Sequence, residues 1–399
     1  MPSHTKSTQC PVTFYLRHPA HPGFVFSRLE ATKKNIKLRR AHRTRTSHTW
    51  PGNPLALALL LQLMARLLIA FLIASVTLPA QTIIRLGTLV PKGSRWHDIL
   101  INMGEEWKKE SGGKIELRIY PGGEQGDEPE MVQKLRIKKL QAVAISGAGL
   151  SGIEPGVSAL QIPMMIDSWE ELDYVRDHIS ARLEKGFADR GFILLNWGDA
   201  GSVHFFTKQP ASHPDDIRRL RLCVLQGDNV TFELYKQNGF HPVALAATDI
   251  LTGLQTGLVE AFQSPPLIAL SNQWFGGAKN MLDIGFANLV GATLIDKQVW
   301  SKIPPPVQKQ MLASARTAGV ALRDEIRKAE AGAVPIMQQF GLNVVHPDAK
   351  TVAEWRQLTE SIWPKFRGPV VPADLFDQVK HLRDEYRKQH PAVAAAGKP

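Results

Sequence analysis

Few side chains in this 399-residue chain have the types and spacing that catalysis or metal binding requires. Three histidines, His97, His204 and His241, are too scattered in the sequence to indicate a metal site. Motifs of the HExxH, GxSxG and Walker A types do not occur in it. Cys223 could act as a nucleophile only with a lowered pKa, and Arg221 is the nearest cation in sequence, so a buried, unreactive thiol is the favoured interpretation. The sequence predicts no catalytic constellation, no metal and no cofactor.

The segment GAGLSG, residues 147–152, has the GxGxxG spacing of a dinucleotide-binding loop and follows a short apolar strand. Such a loop opens a helix whose N-terminus binds the pyrophosphate. Here the helix would begin near Gly152, but Ile153-Glu154-Pro155-Gly156 would break it within one turn. We therefore interpret the segment as a glycine-rich loop that lets a ligand or another lobe approach the backbone, with Gly149 and Leu150 as candidate contacts.

The positive charge of the chain is concentrated in its first segment. The formal net charge is +11, but residues 1–54 contain ten Lys and Arg against the single acid Glu30, while 37 basic residues face 36 acidic ones from Gln81 onward. A nucleic-acid-binding surface needs an excess of basic residues in the folded part, so nucleic acid is not an expected partner. The basic leader, residues 1–63, is interpreted as disordered or as the result of a start codon assigned too early.

Residues 64–80 have the pattern of a secretory signal peptide that starts at an internal methionine. Arg66 supplies the positive charge, an apolar core runs from Leu67 to Val76, and the small residue Ala80 ends the segment at a suitable cleavage position. The alternative is one membrane span from Leu55 to Leu78, which would tether the protein. The signal peptide is favoured because an ordinary strand follows directly, so we expect an exported, periplasmic protein.

The stretch from Leu220 to Pro266 contains the polar loops that could bind a ligand. It alternates strand and helix, with strands predicted at Leu220–Val224, Pro242–Leu245 and Val259–Phe262. This pattern is typical of a small α/β lobe, in which ligands bind outside the carboxyl ends of the strands. A first lobe of similar units precedes it. Residues 305–340 predict a single helix of roughly 40–50 Å, longer than one lobe is wide.

In order and spacing these segments resemble the DctP-type periplasmic solute-binding proteins of TRAP (tripartite ATP-independent periplasmic) transporters, from about Ile83 to Tyr386. The resemblance rests on the long helix and on five segments: PKGSRWH at 91–97, YPGGEQGDEPEMVQKLR at 120–136, LQIP at 160–163, DDIRRLRLCV at 215–224 and TDILTGLQTGLVEAFQSPP at 248–266. It implies an α/β fold of two lobes, joined by hinge strands and a lobe-spanning helix, that close over one ligand. Lobe I is expected at 81–202 with 291–335, and lobe II at 203–290 with 336–390.

The resemblance also indicates where this chain departs from the family. An arginine that clamps the ligand carboxylate corresponds to Cys223, and a second family arginine corresponds to His204. A family asparagine and an aromatic residue correspond to Ser264 and Ala247. A thiol cannot replace the bidentate contact of a guanidinium with a carboxylate, so these changes argue against a simple dicarboxylate or sialic-acid-like ligand.

The small replacements favour a larger, less charged or amphipathic ligand. Aromatic side chains that could wall its pocket are Trp96, Trp197, Trp274 and Phe275. Arg221 or Arg95 is an alternative clamp. The candidate ligand-binding residues are Trp96, His97, Gly149, Leu150, Trp197, His204, Cys223, Gln226, Asp228, Thr248, Gln263, Ser264 and Trp274.

By this resemblance, the function is expected to be that of a non-catalytic binding protein. It would deliver a small organic solute, carboxylate-containing or amphipathic, to the membrane permease subunits of a TRAP transporter, and it would act as a monomer. Two other functions stay open at this point. The protein could present its closed state to a membrane sensor receptor, or it could be an exported hydrolase, which would require a titratable cluster in the cleft.

Overall fold

The structure is a computed structural model that describes residues 58, 59, 61–66 and 81–391. The chain divides into two compact units, Met1–Val76 and Thr77–Pro399, and all the strands described below residue by residue lie in the second. Most of the predicted leader, signal peptide and alternative membrane span, residues 1–57 and 67–80, lies outside the described residues. All three therefore stay predictions. In the described ranges no helix is long and apolar enough to cross a membrane.

Nine strands of the described chain join in one mixed sheet. They are β1 Thr82–Thr88, β2 Ile115–Tyr120, β3 Ala142–Ser146, β4 Phe192–Thr207, β5 Arg221–Leu225, β6 His241–Leu245, β7 Ala261–Ser264, β8 Asn280–Asp296 and β9 Asn343–Val345. Their order is β2-β1-β3-β8-β4-β7-β5-β6, and β9 pairs with β8. β1 pairs in parallel with β2 and β3, and β5 pairs in parallel with β6 and β7. The sheet thus has a parallel part in each lobe, and the predicted two-lobed α/β class is confirmed.

Two long antiparallel strands join the lobes. β4 and β8 pair from Phe192 with Asp296 to Thr207 with Asn280, and three register shifts interrupt the pairing. One shift lies between Asp199 and Gly201, near the middle of β4. Such irregularities increase the local twist of a strand, so these hinge strands change direction where they pass from lobe I to lobe II.

The α-helices of residues 81–391 surround this sheet. They are α1 Arg95–Glu110, α2 Glu128–Arg136, α3 Gly147–Ser151, α4 Trp169–Asp189, α5 Pro214–Arg218, α6 Asn229–Gln237, α7 Ile250–Thr256, α8 Pro266–Ser271, α9 Lys297–Trp300, α10 Pro305–Gln339, α11 Ala349–Phe366 and α12 Ala373–Gln389. The first two helices begin at residues whose side chains cap them. Ser94 accepts a hydrogen bond from the His97 N–H, and Asp127 accepts one from the Glu128 N–H.

The interpretation of GAGLSG as a loop was wrong, because residues 147–151 form the short helix α3. The carboxylate of Glu128 accepts hydrogen bonds from the backbone N–H groups of Ser146, at 2.7 Å, and Gly149, at 3.0 Å. These donors begin the helix and would otherwise be unsatisfied. The helix ends at Ser151, well short of what a dinucleotide fingerprint needs.

The long helix α10 has 35 residues, about 52 Å at 1.5 Å per residue, and it packs on both lobes. Met311 and Ala315 belong to a core cluster of lobe I, whereas Met337 belongs to one of lobe II. The predicted lobe-spanning helix is confirmed. The C-terminal helix α12 packs Leu375 and Val379 into the lobe I core, although the sequence-based boundary had assigned residues 336–390 to lobe II.

Candidate functional site

A cavity of about 460 Å³ lies between the two lobes. Four of the residues that line it end strands: Thr88 ends β1, Ser146 ends β3, Leu225 ends β5 and Ser264 ends β7. Residues from the middle of the hinge strands β4 and β8 also line it. The carboxyl ends of parallel strands are the usual ligand sites of α/β sheets, so this cavity is the candidate binding site.

The charged side chains in the lining are all acidic. Glu128, Asp199 and Asp228 line the cavity, and among the described residues that surround it there is no lysine, arginine or histidine. A buried carboxylate needs hydrogen bonds or an opposite charge. The partners of these three acids therefore determine which of them could meet a ligand.

Glu128 is occupied by its own lobe. Besides the backbone bonds that begin α3, its carboxylate accepts a hydrogen bond from the Ser146 hydroxyl at 2.7 Å. Burial raises the pKa of Glu128, and these hydrogen bonds partly oppose that shift. This side chain holds the end of β3 against α2, so its role in the lining is structural.

Asp199 is occupied by two arginines at the hinge. Arg176 on α4 donates to Oδ1 at 2.6 Å, and Arg327 on α10 donates to Oδ2 at 2.8 Å. Both arginines also contact Asp173, which Arg327 holds with bonds of 2.8 Å. The Arg176 side chain is only 1% exposed, so this network neutralises charges that are out of water.

Among the described residues, no lysine, arginine or histidine forms a salt bridge with Asp228. Its Oδ1 accepts from the Thr231 N–H at 3.0 Å and so caps α6. Burial raises the pKa of Asp228 above its ordinary range. Two helical turns further along α6, the Tyr235 hydroxyl donates a hydrogen bond to Gln263 Oε1 at 2.6 Å. Lobe II thus places a carboxyl, a phenol and an amide together in the lining.

Most of the remaining lining is apolar or aromatic. On the lobe II side Phe262 stacks on Phe206, and Trp274 meets Phe262 edge-on at 5.8 Å between ring centroids. Trp96 lines the lobe I side. Cys223 is 3% exposed in this apolar cluster, and burial raises the pKa of its thiol to about 12. The expected unreactive thiol is therefore what the local environment produces.

Two contacts connect the lobes next to residues that line the cavity. Asp127 Oδ2 in lobe I accepts a hydrogen bond from the Ala247 N–H in lobe II at 3.1 Å. Gly227 lies so close to Pro129 that a Cβ atom on it would be 2.3 Å from the proline Cγ. The structure is thus a closed form in which the lobes touch.

Residues 86–368 match the family model of the bacterial extracellular solute-binding proteins, family 7, known as DctP. The chain belongs to this family. The sialic acid-binding periplasmic protein SiaP of Vibrio cholerae is 21% identical over 291 residues, which cover 71% of this chain and 89% of SiaP. The 2,3-diketo-L-gulonate-binding periplasmic protein YiaO of Escherichia coli is 22% identical over 239 residues, covering 58% of this chain and 71% of YiaO.

Solved structures of low sequence identity have the same fold. The sugar acid binding protein DctPAm of Advenella mimigardefordensis, in complex with galactonate, has a TM-score of 0.72 at 17% identity and covers 77% of this chain and 99% of its own. A TRAP periplasmic solute-binding protein of Haemophilus influenzae with bound L-gulonate has a TM-score of 0.71 at 19% identity, with coverage of 76% and 99%. This DctP-family protein is accordingly an extracytoplasmic solute-binding protein that delivers a small organic solute to a TRAP-type transporter.

Seven of the thirteen residues predicted to bind the ligand line the cavity of this DctP-family protein. They are Trp96, Cys223, Asp228, Thr248, Gln263, Ser264 and Trp274. Five of the seven belong to strands of lobe II or to the turns and caps that follow them. The sequence stretch that was expected to supply the site does supply one wall of the cavity, while contact of each residue with a ligand remains a prediction.

The other six predicted residues lie outside the lining: His97, Gly149, Leu150, Trp197, His204 and Gln226. Leu150 is fully buried in the lobe I core. Trp197 packs edge-on against Phe187, at 6.4 Å between ring centroids. His204 is buried beside β8, where its ring nitrogen lies 3.2 Å from the Leu282 carbonyl oxygen, and burial lowers its pKa. A neutral imidazole in this position does not supply a cation to the cavity.

The two arginines considered as replacement clamps also lie elsewhere. Arg221 donates to the carbonyl oxygens of Gly257 and Leu258 at the surface of lobe II. The Arg95 side chain is 77% exposed and stands 3.9 Å from Glu325. Neither lines the cavity, so in the described chain no carboxylate clamp is rebuilt from them.

Sequence reasoning missed Glu128, Asp199 and Tyr235 as lining residues. Tyr235 follows the N-cap Asp228 by seven residues, two helical turns, so the shared helix face was a usable signal. The hydrogen bond that links Asp199 to Arg327 joins residues 128 positions apart, and no local pattern announces it.

Proposed function

We propose that this DctP-family protein binds an uncharged or amphipathic organic solute between its lobes and passes it unchanged, as an exported monomer, to TRAP permease subunits. The observation that supports this proposal most directly is the charge of the cavity. Its described lining includes three acids and no cation. A solute carboxylate in this space would lose its hydration without gaining a charged partner, which costs several kcal/mol.

Proteins of similar fold bind the opposite kind of solute. Solved proteins of this fold have bound galacturonate, glucuronate, L-gulonate, galactonate or succinate, all of them carboxylates. This chain has Cys223 in the lining at the strand position where the family resemblance implies a clamping arginine, and Arg95 and Arg221 point elsewhere. A different solute class in the same fold is what these differences support.

The size and walls of the cavity suit an amphipathic organic molecule. A volume of about 460 Å³ falls in the range of roughly 300–1,000 Å³ that small-molecule sites occupy. Aromatic and aliphatic side chains such as Trp96, Phe262 and Trp274 cover much of its surface. Apolar parts of a solute would be stabilised there by about 25 cal/mol for each Å² removed from water.

Delivery without chemical conversion is supported by the state of the reactive groups. The Cys223 thiol is held protonated by burial, and Asp199 is engaged by two arginines. Among the described residues, no group of three His, Cys, Asp or Glu side chains is arranged to hold a metal ion. Solute contacts to both lobes would stabilise the closed form, which is the state recognised in hinge-type binding proteins.

A thermal-shift panel tests the proposed solute class. The purified protein is unfolded and refolded to remove bound solute, and its melting temperature is then measured with carboxylates and with uncharged or amphipathic compounds. A solute at about one hundred times its dissociation constant adds about 2.7 kcal/mol of stability, a shift of several degrees. Shifts with uncharged or amphipathic compounds alone support the proposal, whereas shifts with galacturonate or succinate contradict it.

A further inference from the structure

The part of the cavity that lobe II lines includes a group of polar side chains. They are Asp228 at the N-cap of α6, Tyr235 on the same helix, Gln263 on β7 and Thr248 before α7. We call these four residues the polar pole. The lobe I lining mixes the apolar side chains of Leu89, Val90, Ile145 and Trp96 with the polar ones of Thr88, Glu128, Ser146 and Gln161. Apolar atoms cover most of the cavity surface, so a solute that fits it has a mainly apolar body and a polar head that can meet the polar pole.

The hydrogen bonds inside the polar pole fix which groups are presented. The Tyr235 hydroxyl donates to Gln263 Oε1 at 2.6 Å, so the amide oxygen is occupied and its nitrogen is left as the donor. Asp228 Oδ1 accepts a hydrogen bond from the Thr231 N–H, and the carboxyl group can still accept further hydrogen bonds. Burial raises the pKa of Tyr235, and the neighbouring carboxyl group of Asp228 raises it further.

Among the three acids of the described lining, Asp228 is the one with this spare capacity. Glu128 already receives three hydrogen bonds from Ser146 and Gly149. Asp199 is shared between Arg176 and Arg327. Asp228 has its helix cap but no arginine or lysine, so the group most suited to complete it is a donor brought by the solute.

We infer that the solute of this DctP-family protein carries a hydrogen-bond-donating head, a hydroxyl or an ammonium group, that binds Asp228 and Gln263, and an apolar body that lies against the aromatic walls. This inference rests on the proposed function and specifies its solute class. A hydroxyl donates to the carboxyl and accepts from the amide nitrogen of Gln263. An ammonium adds charge attraction to Asp228 and can lie against the Trp274 ring face.

Three matched probes test the inference: 3-phenylpropanol, 3-phenylpropylamine and 3-phenylpropionate. They share one apolar body and differ in the head, so titration calorimetry on the refolded protein compares the heads directly. We expect the alcohol or the amine to bind at least about tenfold more tightly than the acid, the size of one hydrogen bond to a charged group. If the amine binds more tightly than the alcohol, Asp228 is ionised in the complex. If the alcohol binds more tightly than the amine, the Asp228 carboxyl group is neutral.

Asp228→Asn is the informative variant, because asparagine is as good an N-cap as aspartate and α6 should persist. It should weaken amine binding by about tenfold or more. The matched control is Asp348→Asn, since Asp348 caps α11 in the same way but lies outside the lining. If the acid binds best, or if Asp228→Asn changes no affinity, the inference is wrong while solute binding itself stands. If none of the three probes binds, both the inference and the proposed solute class fail.

A second inference concerns the hinge and rests on a different residue. Glu330 lies on α10 against the irregular part of β4 and the end of β7. A Cβ atom on Gly201 would stand 2.7 Å from Glu330 Oε2 and 2.4 Å from the Cβ of Pro265. Both carboxyl oxygens of Glu330 are buried, and no donor in the described chain reaches them with normal hydrogen-bond geometry. A buried polar group without a partner needs an explanation, and here it lies where the two lobes join.

The groups around Glu330 offer it no charge. On β4 the titratable residues are Asp199, which is paired with Arg327 of α10, and His204, which lies at the Leu282 carbonyl. The adjacent helix α8, with sequence PLIALS, contains no titratable residue. The backbone N–H groups of Leu267, on this helix, and of Ser202, on β4, face the carboxyl and favour its ionised form, which partly opposes the effect of burial on its pKa. Burial is therefore the dominant influence on this group.

We propose that Glu330 links hinge closure to proton uptake: the closed form holds the neutral acid, and ionisation favours a form in which the carboxyl reaches water. The pKa of Glu330 is raised from 4.5 to about 8 in the closed form, mainly by burial. Because the closed form binds the proton more tightly, closure is most favourable below pH 4.5 and is progressively lost as the pH rises to about 8. Acidic surroundings would then favour solute retention and neutral ones release.

Single-molecule energy transfer on the solute-free protein tests this proposal without a known ligand. Dyes are attached at Lys109→Cys in lobe I and Lys236→Cys in lobe II, both exposed, with Cys10 and Cys223 replaced by serine. The closed fraction should fall between pH 5 and pH 9 in the otherwise wild-type protein. In Glu330→Gln, which cannot ionise, it should stay at its acidic value.

The matched control is Glu325→Gln, a partly exposed glutamate on the same helix that should keep the pH dependence. The proposal is overturned if the closed fraction of the wild-type protein does not change with pH, or if Glu330→Gln follows the wild-type curve.

Discussion

The carboxylate of Asp127 joins the two lobes by accepting a hydrogen bond from the Ala247 N–H at 3.1 Å. Its other oxygen accepts from the Glu128 N–H at 2.9 Å and caps α2. One side chain therefore both begins a helix of lobe I and holds the first turn after β6 in lobe II. The bond to Ala247 requires the lobes to be in contact, whereas the cap does not. The two roles can be separated by substitution.

Asp127→Ser should weaken solute binding while leaving the fold stable. Serine is a good N-cap, so α2 keeps its start, but the shorter side chain does not extend to Ala247. Loss of a hydrogen bond to a charged group on closure should lower affinity for an amphipathic probe by about tenfold. Asp127→Ala, which loses the cap as well, should also cost about 1 kcal/mol of unfolding free energy. Calorimetry and urea unfolding check both values; equal affinity of wild type and Asp127→Ser would show that this bond does not stabilise closure.

Gly227→Ala should oppose closure by contact with Pro129. The φ angle of Gly227 is +91°, and an added Cβ would lie 2.3 Å from the Pro129 Cγ. The open form avoids this collision, so the substitution should favour it over the closed form. An overlap cost of roughly 1–3 kcal/mol in the closed form should lower the affinity for a probe by about tenfold or more. The double variant with Pro129→Ala removes the ring atom and should recover most of the loss. Calorimetric titration of the two variants measures both effects.

Gly239→Ala is the matched control for that experiment. Gly239 also has a positive φ, +81°, but the nearest atom to its added Cβ is in Arg218 at 4.0 Å, within lobe II. The backbone strain of about 1–2 kcal/mol should therefore lower the melting temperature of both single variants. A loss of affinity in Gly239→Ala as large as in Gly227→Ala would attribute the effect to strain rather than to the contact between lobes.

Local signals in the sequence predicted much of the fold. Ser94 and Asp127 are of the residue types that favour N-caps and do cap their helices, because capping depends on residues within one turn of each other. The long helix was predicted at 305–340 and occurs at Pro305–Gln339. For strand β8 the local sequence indicates only the second half, at Val290–Ile295, although the strand begins at Asn280. Gly285 and Asn288 interrupt the apolar run of its first half, so local propensity does not indicate a strand there. Pairing with β4, which continues across the register shifts, stabilises that half as a strand.

The site was harder to predict because its specificity depends on long-range partners. Cys223 and Asp228 were identified from a strand and a cap that are visible in the sequence. Glu330 is an ordinary helical glutamate in sequence, and only the approach of Gly201 makes it a buried acid. The described lining also has no cation. That absence depends on the positions of all the arginine side chains, which no single sequence motif determines.

Asp199→Asn should destabilise the protein strongly. The substitution removes a charge that neutralises Arg176, whose side chain is 1% exposed, and Arg327. Breaking one partner of a buried ion pair typically costs about 3–5 kcal/mol. Asp374→Asn is the control, because its pair with Arg182 lies at the surface and should contribute no more than about 1 kcal/mol. Urea unfolding compares the two, and a cost below about 1 kcal/mol for Asp199→Asn would show that Asp173 alone can hold both arginines.

The Cys223 thiol should resist modification while the protein is folded. Its pKa of about 12 leaves about one molecule in ten thousand as the thiolate at pH 8, and the side chain is only 3% exposed. In a Cys10→Ser background, Ellman's reagent should therefore react at pH 8 only as fast as the protein opens or unfolds. Denaturation in urea should release one thiol within seconds to minutes, because its pKa returns to about 8.5. Rapid reaction of the folded protein would mean that the cavity wall at Cys223 is open to reagent and that the thiol is available for chemistry after all.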